Sequence, residues 1–334
     1  MYTKFAVCNS WLNEHMFLVV LTGLFVGFSW APGPSDLFSI LVIVLFAYMT
    51  FVTALGTSLK DFIRVFKKPL IPLWSLLLIH FAAPAIAWLI GIIFYPDDFS
   101  IRIGLLILAS IPVGVTSIMW TAIVKGNVPL ALIVVTIDTF IAPILLPVFL
   151  QLIAGKTMQI DFWKMFFQLL MMVSLPSFAG MILHDAVRGK TVEFARSVGG
   201  LTAKISLFGV ILINAAQVGP SIHWNVTMGK MLFVVLLMAV CGYSLGFLGG
   251  RIFRDLENET TKAIIYTVGM RNISFGSVLA VVYFSPAIAV PVTLGMLFQQ
   301  PLAATIAYFL SRREKAAAKK KSMIITFFRS RGKS

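Results

Sequence analysis

The chain has 334 residues, of which 59% are hydrophobic and 12% charged, with a formal net charge of +14 and a mean hydropathy of +0.95. Because so few polar residues cannot cover a soluble globule, this composition excludes a soluble protein. The many apolar runs approach the ~20 residues that a helix needs to cross a bilayer, and do not show the ~10-residue alternation of an outer-membrane barrel. We therefore expect an all-α integral membrane protein.

Turn residues and charges divide the chain into ten predicted spans. We interpret the run from Met16 as the first span, because no small-residue cleavage pattern of a removable signal follows it. The last span is followed by a basic tail, residues 315–334, which either lies on an anionic leaflet or remains solvated and disordered. The predicted spans are 16–31, 37–58, 70–95, 101–124, 127–154, 162–186, 199–219, 229–250, 261–284 and 287–311.

Basic residues are distributed unevenly among the predicted loops. Most of the 27 Lys and Arg lie at the N-terminus, in or beside the even-numbered loops, and in the tail. Both termini are therefore predicted to be cytoplasmic, with an even number of spans, for which eight or ten would serve. The other side has only four basic residues, namely Arg102, Lys156, Lys164 and Lys230. Since the positive charge reports topology in this way, it gives no reason to invoke nucleic acid.

The stretch Tyr266–Gly276, YTVGMRNISFG, interrupts span 9 with two glycines, an arginine and an asparagine. A charge at that depth is costly and marks an ion or substrate site by default. Residues 112–118, PVGVTSI in span 4, repeat its V-G-x-x-x-I pattern. Spans 4 and 9 take the same place in two five-span halves of opposite orientation, and paired interruptions in such inverted repeats point to a transport site. Glycine-mediated helix packing is the simpler alternative for the two segments.

Two charged side chains are predicted to lie well inside spans, Asp138 in span 5 and Arg271 in span 9. Pairing them is the least costly way to carry both in an apolar medium. The pair either locks the two spans together or changes state as the carboxylate takes up a proton.

Three polar side chains in spans 3 and 4 each have two possible roles. His80 is either a core residue with satisfied hydrogen bonds or a functional group. Thr116 and Ser117 either cap the second half of span 4 or contact a ligand, since hydroxyls readily satisfy nearby backbone groups.

Several short motifs together are typical of a known family. Over spans 2 to 10 they resemble the bile acid:sodium symporter family, particularly its bacterial members, within the bile/arsenite/riboflavin transporter superfamily. The motifs are Leu59-Lys60-Asp61-Phe62 leading to Pro69, Lys125-Gly126-Asn127-Val128, Val268-Gly269-Met270 with Asn272, Tyr283-Phe284-Ser285-Pro286 and Val290-Pro291.

The resemblance implies ten helices in two inverted repeats, residues 1–156 and 157–314. Spans 1, 2, 6 and 7 would form a panel domain, and spans 3–5 and 8–10 a core domain in which spans 4 and 9 are broken and cross. The substrate would bind between the domains and cross by alternating access in a bacterial inner (plasma) membrane. Family substrates are organic anions, usually driven by two sodium ions.

The chain departs from the family at the sodium sites. Relatives with sodium sites carry a glutamate at the position of Thr267 and a glutamine at that of Arg271. Ser117 and Asn272 are retained, and His80 takes a position that is polar in relatives. Three other family polar residues are replaced here by Ile118, Ala131 and Val135. Sodium prefers several oxygen ligands, so these changes predict that sodium coupling is absent or reduced to one site.

We expect a secondary transporter of a small organic anion whose sodium sites are altered. The alternatives are a proton-coupled or uncoupled exporter or facilitator, and a receptor on the same fold that does not transport. An arsenite exporter would carry a cysteine in span 4, and none lies near Gly114. An enzyme would need a clustered nucleophile, base or metal set, and the four histidines are scattered.

The expected partners are the anion and the lipid bilayer, and no nucleic acid is expected. The sequence does not determine the oligomeric state. No cofactor is expected beyond sodium or a proton as the coupling ion, and no metal site is certain. The candidate substrate- or ion-binding residues are Arg271, Asn272, Thr267, Met270, Gly269, Thr116, Ser117 and His80, with Asp138 and Arg271 as the charge pair.

Overall fold

The computed structural model describes residues 11–12, 16–56, 58–59, 70–158, 161–222, 225–252 and 259–331, and is helical throughout these ranges apart from turns and one isolated β-bridge. The family motif from Leu59 to Pro69 lies almost entirely outside them. The helices are α1 Met16–Trp30, α2 Asp36–Ala54, α3 Leu70–Leu77, α4 Ala83–Phe94, α5 Phe99–Ser110, α6 Thr116–Ile123, α7 Val128–Met158, α8 Phe162–Leu169, α9 Leu175–Ala186, α10 Thr191–Arg196, α11 Val198–Val218, α12 Val226–Arg251, α13 Glu259–Gly269, α14 Ile273–Tyr283 and α15 Pro286–Arg331.

The described residues include seven helical segments long and apolar enough to cross a bilayer, and three shorter apolar helices. The prediction of a helical membrane protein is confirmed. The seven segments are Asp36–Ala54, Leu70–Phe94, Val128–Ile153, Phe162–Ala186, Thr191–Ser221, Val226–Arg251 and Ala287–Arg312. Helix α15 continues to Arg331, so the backbone of most of the basic tail is helical and not disordered.

Side-chain caps begin several of these helices. The carboxylates of Asp98 and Asp161 accept hydrogen bonds from backbone N–H groups in the first turns of α5 and α8. The side chains of Asn225 and Asn272 do the same for α12 and α14. Each satisfies one of the donors that the start of a helix leaves unpaired.

Two long helical segments each contain a π turn shortly before a proline. Leu78–Ala82 joins α3 to α4 and precedes Pro84, and Leu170–Ser174 joins α8 to α9 and precedes Pro176. A proline cannot donate to the carbonyl four residues earlier, so the helix widens there instead of breaking. The first π turn contains His80.

The helices pack in two groups. In the first, α11 packs against α1 and α2, and α9 packs against α2. In the second, α12 packs against α13, α5 packs against α4 and α15, and α6 and α7 pack against α13. Large apolar side chains such as Leu37, Ile40 and Val44 on α2 are exposed, which suits a surface facing lipid.

Two apolar helices are interrupted where the sequence predicts. The chain leaves α5 after Ser110 and resumes as α6 at Thr116, and it leaves α13 after Gly269 and resumes as α14 at Ile273. The two interruptions meet in an antiparallel bridge between Val113 and Arg271. The two predicted interruptions are therefore present and meet, and the meeting point is called the crossing below.

Candidate functional site

The two helix interruptions hold each other by backbone hydrogen bonds. Asn272 N–H donates to the Pro112 carbonyl at 2.7 Å, and Gly114 N–H donates to the Met270 carbonyl at 3.2 Å. Gly114 is required at this crossing, because a Cβ atom there would lie 2.9 Å from the Arg271 carbonyl oxygen. Each break therefore supplies partners for backbone groups that the other leaves unpaired.

A side chain from a following helix completes each break. Val113 N–H donates to Asp138 Oδ2 of α7 at 2.5 Å. Arg271 N–H donates to Gln299 Oε1 of α15 at 2.7 Å. All four residues are buried. The residues at the centre of the bridge are thus held in equivalent ways, one by an acid and the other by a neutral amide.

Asp138 is paired with His80 and not with Arg271. Its Oδ1 lies 2.5 Å from His80 Nε2, and both side chains are almost fully buried. Among the described residues no direct ion pair joins Asp138 to Arg271, so the predicted contact is wrong. The predicted pairing missed the imidazole presented by the π turn, which lies closer to the carboxylate.

The Arg271 side chain extends towards the π turn Leu78–Ala82, between α3 and α4. Its Nη2 donates to the Ile79 carbonyl at 3.4 Å. Its Nη1 is buried and has no hydrogen-bond partner. A buried guanidinium with an unused donor is costly, which marks this as a place where an anionic or polar ligand would lower the free energy.

A cavity of about 660 Å³ lies between the two helix groups and is closed on one side by the crossing. Helices α2, α9 and α11 contribute one wall, and the two breaks with α7 and α15 contribute the other. The described residues that line it include Arg271 and Lys204 and no carboxylate. The volume suits a small organic molecule, and the charges suit an anion.

The predicted ligand residues are divided between cavity and packing. Thr116 and Asn272 line the cavity with Arg271. Ser117 is fully buried and its hydroxyl has no partner. Helix α6 has no side-chain cap, so neither Thr116 nor Ser117 caps it. Asn272 caps α14 by accepting from Phe275 N–H at 3.3 Å.

The remaining candidates support the crossing from behind. Thr267 donates to the Ala263 carbonyl at 2.9 Å, a bond within its own helix that leaves the hydroxyl away from the cavity. Met270 is buried and contributes only its carbonyl. Gly269 allows close packing, because a Cβ atom there would lie 2.3 Å from the Tyr243 ring.

Several polar residues of this region were not anticipated. Gln299 holds the second break, and the next residue, Gln300, accepts from Trp120 Nε1 of α6 at 2.8 Å. The sequence indicates them only by two adjacent glutamines before Pro301 in an otherwise apolar span. Arg271 is also not the sole base inside the helices, because Lys204 lies on α11 and Lys262 is buried on α13.

Apolar helices of bilayer length, two broken helices that meet, and a cavity bounded by the breaks define a helical membrane transporter. The model of the sodium bile acid symporter family matches residues 40–228. The protein YbaS of Bacillus subtilis is 34% identical over 89% of this chain and 94% of its own length. The chain therefore belongs to the sodium bile acid symporter family.

Two further relatives carry transporter names. The sodium-dependent transporter YocS of Bacillus subtilis is 28% identical over 87% of this chain and 88% of its own length. The hepatic sodium/bile acid cotransporter of Rattus norvegicus is 25% identical over 66% of this chain and 59% of its own length. These names and that of the family describe transporters and not enzymes.

Proposed function

We propose that the protein is a secondary transporter of a small organic anion that works by alternating access. The observation that carries the proposal is the cavity between the two helix groups, which Arg271 and Lys204 line without any carboxylate among its described residues. An arginine can hold a carboxylate or sulfonate by paired hydrogen bonds. Movement of the group containing α1, α2, α9 and α11 against the other group would open the cavity to each side of the membrane in turn.

The proposed architecture is ten spans in two inverted repeats. It is supported by the similar hydrogen bonding at the two breaks. The N–H of Val113 is held by Asp138 on α7, and the N–H of Arg271 is held by Gln299 on α15. In the proposed repeats, spans 4 and 5 of the first half correspond to spans 9 and 10 of the second. The panel would then be the first helix group and the core the second, with both termini cytoplasmic.

The proposed coupling differs from that of the sodium-dependent relatives. A sodium ion ~4 Å from a guanidinium would be repelled by ~4 kcal/mol at an effective dielectric constant of ~20, which weakens binding by about three orders of magnitude. Arg271 reaches the Ile79 carbonyl inside the second helix group. We infer that this guanidinium supplies the positive charge that a coupling sodium ion provides elsewhere.

The test is uptake of labelled taurocholate and of short-chain carboxylates into proteoliposomes, with sodium or choline as the external cation. Wild-type protein is expected to exchange an anion across the membrane equally well in both media. Arg271→Gln is expected to gain a requirement for sodium, while Arg271→Lys, which keeps the charge, does not.

Three results would contradict the proposal. Steep sodium dependence of the wild-type protein would show that coupling to sodium is intact. Loss of anion binding in Arg271→Gln at any sodium concentration would contradict the inferred replacement of sodium and assign Arg271 to substrate binding alone. Binding of an anion without any flux would indicate a receptor.

A further inference from the structure

His80 and Asp138 form a buried acid–base pair that the proposed binding of an anion does not use. They lie on different helical segments and meet at 2.5 Å between Nε2 and Oδ1. The exposed fractions of their side chains are 3% and 0%. Imidazole is the side chain that ordinarily changes charge between pH 5 and 8.

The pair is connected directly to the crossing of the broken helices. The second oxygen of Asp138 accepts from Val113 N–H, and Val113 forms the bridge to Arg271. On the other side, the guanidinium of Arg271 donates to Ile79, the neighbour of His80 in the π turn. These contacts form a closed ring that includes both breaks. A change of charge at the pair therefore acts on the residues of both breaks.

The cavity comes within one helical turn of the pair. Val135 and Thr139 on α7, on either side of Asp138, line the cavity, as does Val113. A small movement at the crossing therefore suffices to expose the pair to the cavity. The pair itself remains covered in the conformation described.

Several helices pack against His80 and Asp138 and carry ionisable groups. Among these groups, Arg271 makes the closest contact with the ring of contacts around the pair. Lys262 on α13 lies beside Gly126 at the turn between α6 and α7, and Arg102 on α5 lies beside Gly91 and Trp88. The remaining ionisable side chains described on these elements are Lys164 on α8, Lys230, Cys241, Tyr243 and Arg251 on α12, and Glu259 and Tyr266 on α13.

Charge balance relates the proton to the anion. With a neutral His80, the charges of Asp138 and Arg271 sum to zero. With one added proton the three groups carry one positive charge, which a bound monoanion neutralises. Apart from Lys204 on the opposite wall of the cavity, these groups are then neutral both when empty and when the anion is bound. A neutral set is less costly to move through a low-dielectric interior than a charged one.

We propose that His80 and Asp138 are the proton-binding site that couples transport, with one proton crossing together with one monoanion. The proton is taken from water on one side, held as the imidazolium of His80 against the Asp138 carboxylate, and returned to water on the other side. No oxidation or covalent bond is involved. This proposal rests on the proposed transport of an anion, and it replaces sodium by a proton as the driving ion.

The transport test uses taurocholate, whose sulfonate remains ionised, so that the probe itself carries no proton. A gradient of one pH unit across proteoliposomes without sodium is expected to accumulate it about tenfold, the limit for one proton per anion. Clamping the membrane potential should leave this ratio unchanged. In Asp138→Asn and His80→Gln, the ratio of internal to external taurocholate is expected to fall towards one. Counterflow is measured in the same vesicles, so that slower turnover is not mistaken for loss of coupling.

His184→Gln is the matched control, because His184 lies on α9 and its Nδ1 donates to the Leu55 carbonyl, away from the pair. It should accumulate taurocholate as the wild-type protein does. Gradient-driven accumulation that persists in both Asp138→Asn and His80→Gln would overturn the proposal. So would accumulation that responds to sodium alone.

A second measurement separates the proton site from transport. The unfolding temperature of the purified full-length protein is followed from pH 5 to pH 8 in choline chloride. His80→Gln and Asp138→Asn are each expected to change the shape of this profile more than His184→Gln does. Absence of counterflow for every anion tried, with the altered profiles present, would refute the transport function while retaining the proton site. Profiles that coincide with the wild type would refute the proton site.

Discussion

The two helix breaks have nearly the same backbone arrangement and different chemistry. In the first, an apolar residue, Val113, is held by the charged side chain of Asp138. In the second, a charged residue, Arg271, is held by the neutral side chain of Gln299. Each break therefore brings one charge and one neutral partner to the crossing.

The neighbours of the two supporting residues also differ. A third helix contacts each of them, with His80 on the carboxylate of Asp138 and Tyr243 OH on the backbone carbonyl of Gln299 at 2.9 Å. Asp138 thus meets an imidazole, whereas Gln299 meets a phenol. The two breaks are alike in their backbone bonding and differ in the side chains that support them, and the proposed proton site lies at the first of them.

Removing the two supporting side chains is expected to give the largest difference between the breaks. Asp138→Ala leaves Val113 N–H and the His80 ring without a partner, which should cost about 3–5 kcal/mol of folding free energy. Gln299→Ala removes the acceptor of a single N–H and should cost about 1–3 kcal/mol. Thermal unfolding of the purified variants measures both, with the exposed Thr305→Ala as a control. Equal losses would mean that His80 adds nothing to the first break.

The glycines of the breaks should give an intermediate effect. In Gly269→Ala the new Cβ would lie 2.3 Å from the buried Tyr243 ring, while in Gly114→Ala it would lie 2.9 Å from a carbonyl oxygen. Overpacking of this kind costs about 1–3 kcal/mol, and we expect the larger loss of stability and transport at Gly269. Gly229→Ala, which has no atom within 4 Å of the new Cβ, is the control. A silent Gly269→Ala would show that the second break is loosely packed.

The smallest effect is expected at Ser117. Its hydroxyl is buried without a partner, so Ser117→Ala removes no hydrogen bond of this structure. The unfolding temperature should stay equal or rise slightly, since an unpaired buried hydroxyl is itself unfavourable. The KM for sodium or anion should also be unchanged if no ion binds there. A large rise in KM would restore Ser117 as a ligand of the first break.

The sequence predicted the helices and their interruptions because both depend on local chemistry. Apolar runs of bilayer length mark helices, and the glycines at 114 and 269 mark where a backbone or a large side chain approaches closely. The resemblance to a family then indicated which interruptions meet. These features are legible without knowing any contact between distant residues.

The side-chain partners could not be predicted in the same way. The pairing of Asp138 with Arg271 followed from counting charges, and it overlooked that an imidazole N–H can also donate to a buried carboxylate. His80 lies 58 residues before Asp138, and helix register alone does not show that they meet. Gln299 was missed because its role is to accept from a backbone N–H, which leaves no pattern in the sequence.

The π turn before Pro84 changes the rotational register of its helix. Such a turn holds one residue more than an α-helix would, which rotates everything beyond it by about 100°. His80 lies within this turn, where its Nε2 meets Asp138 Oδ1. The additional residue therefore fixes which face of α4 meets its neighbours, and deleting one residue from the turn would rotate α4 by about 100° relative to α3.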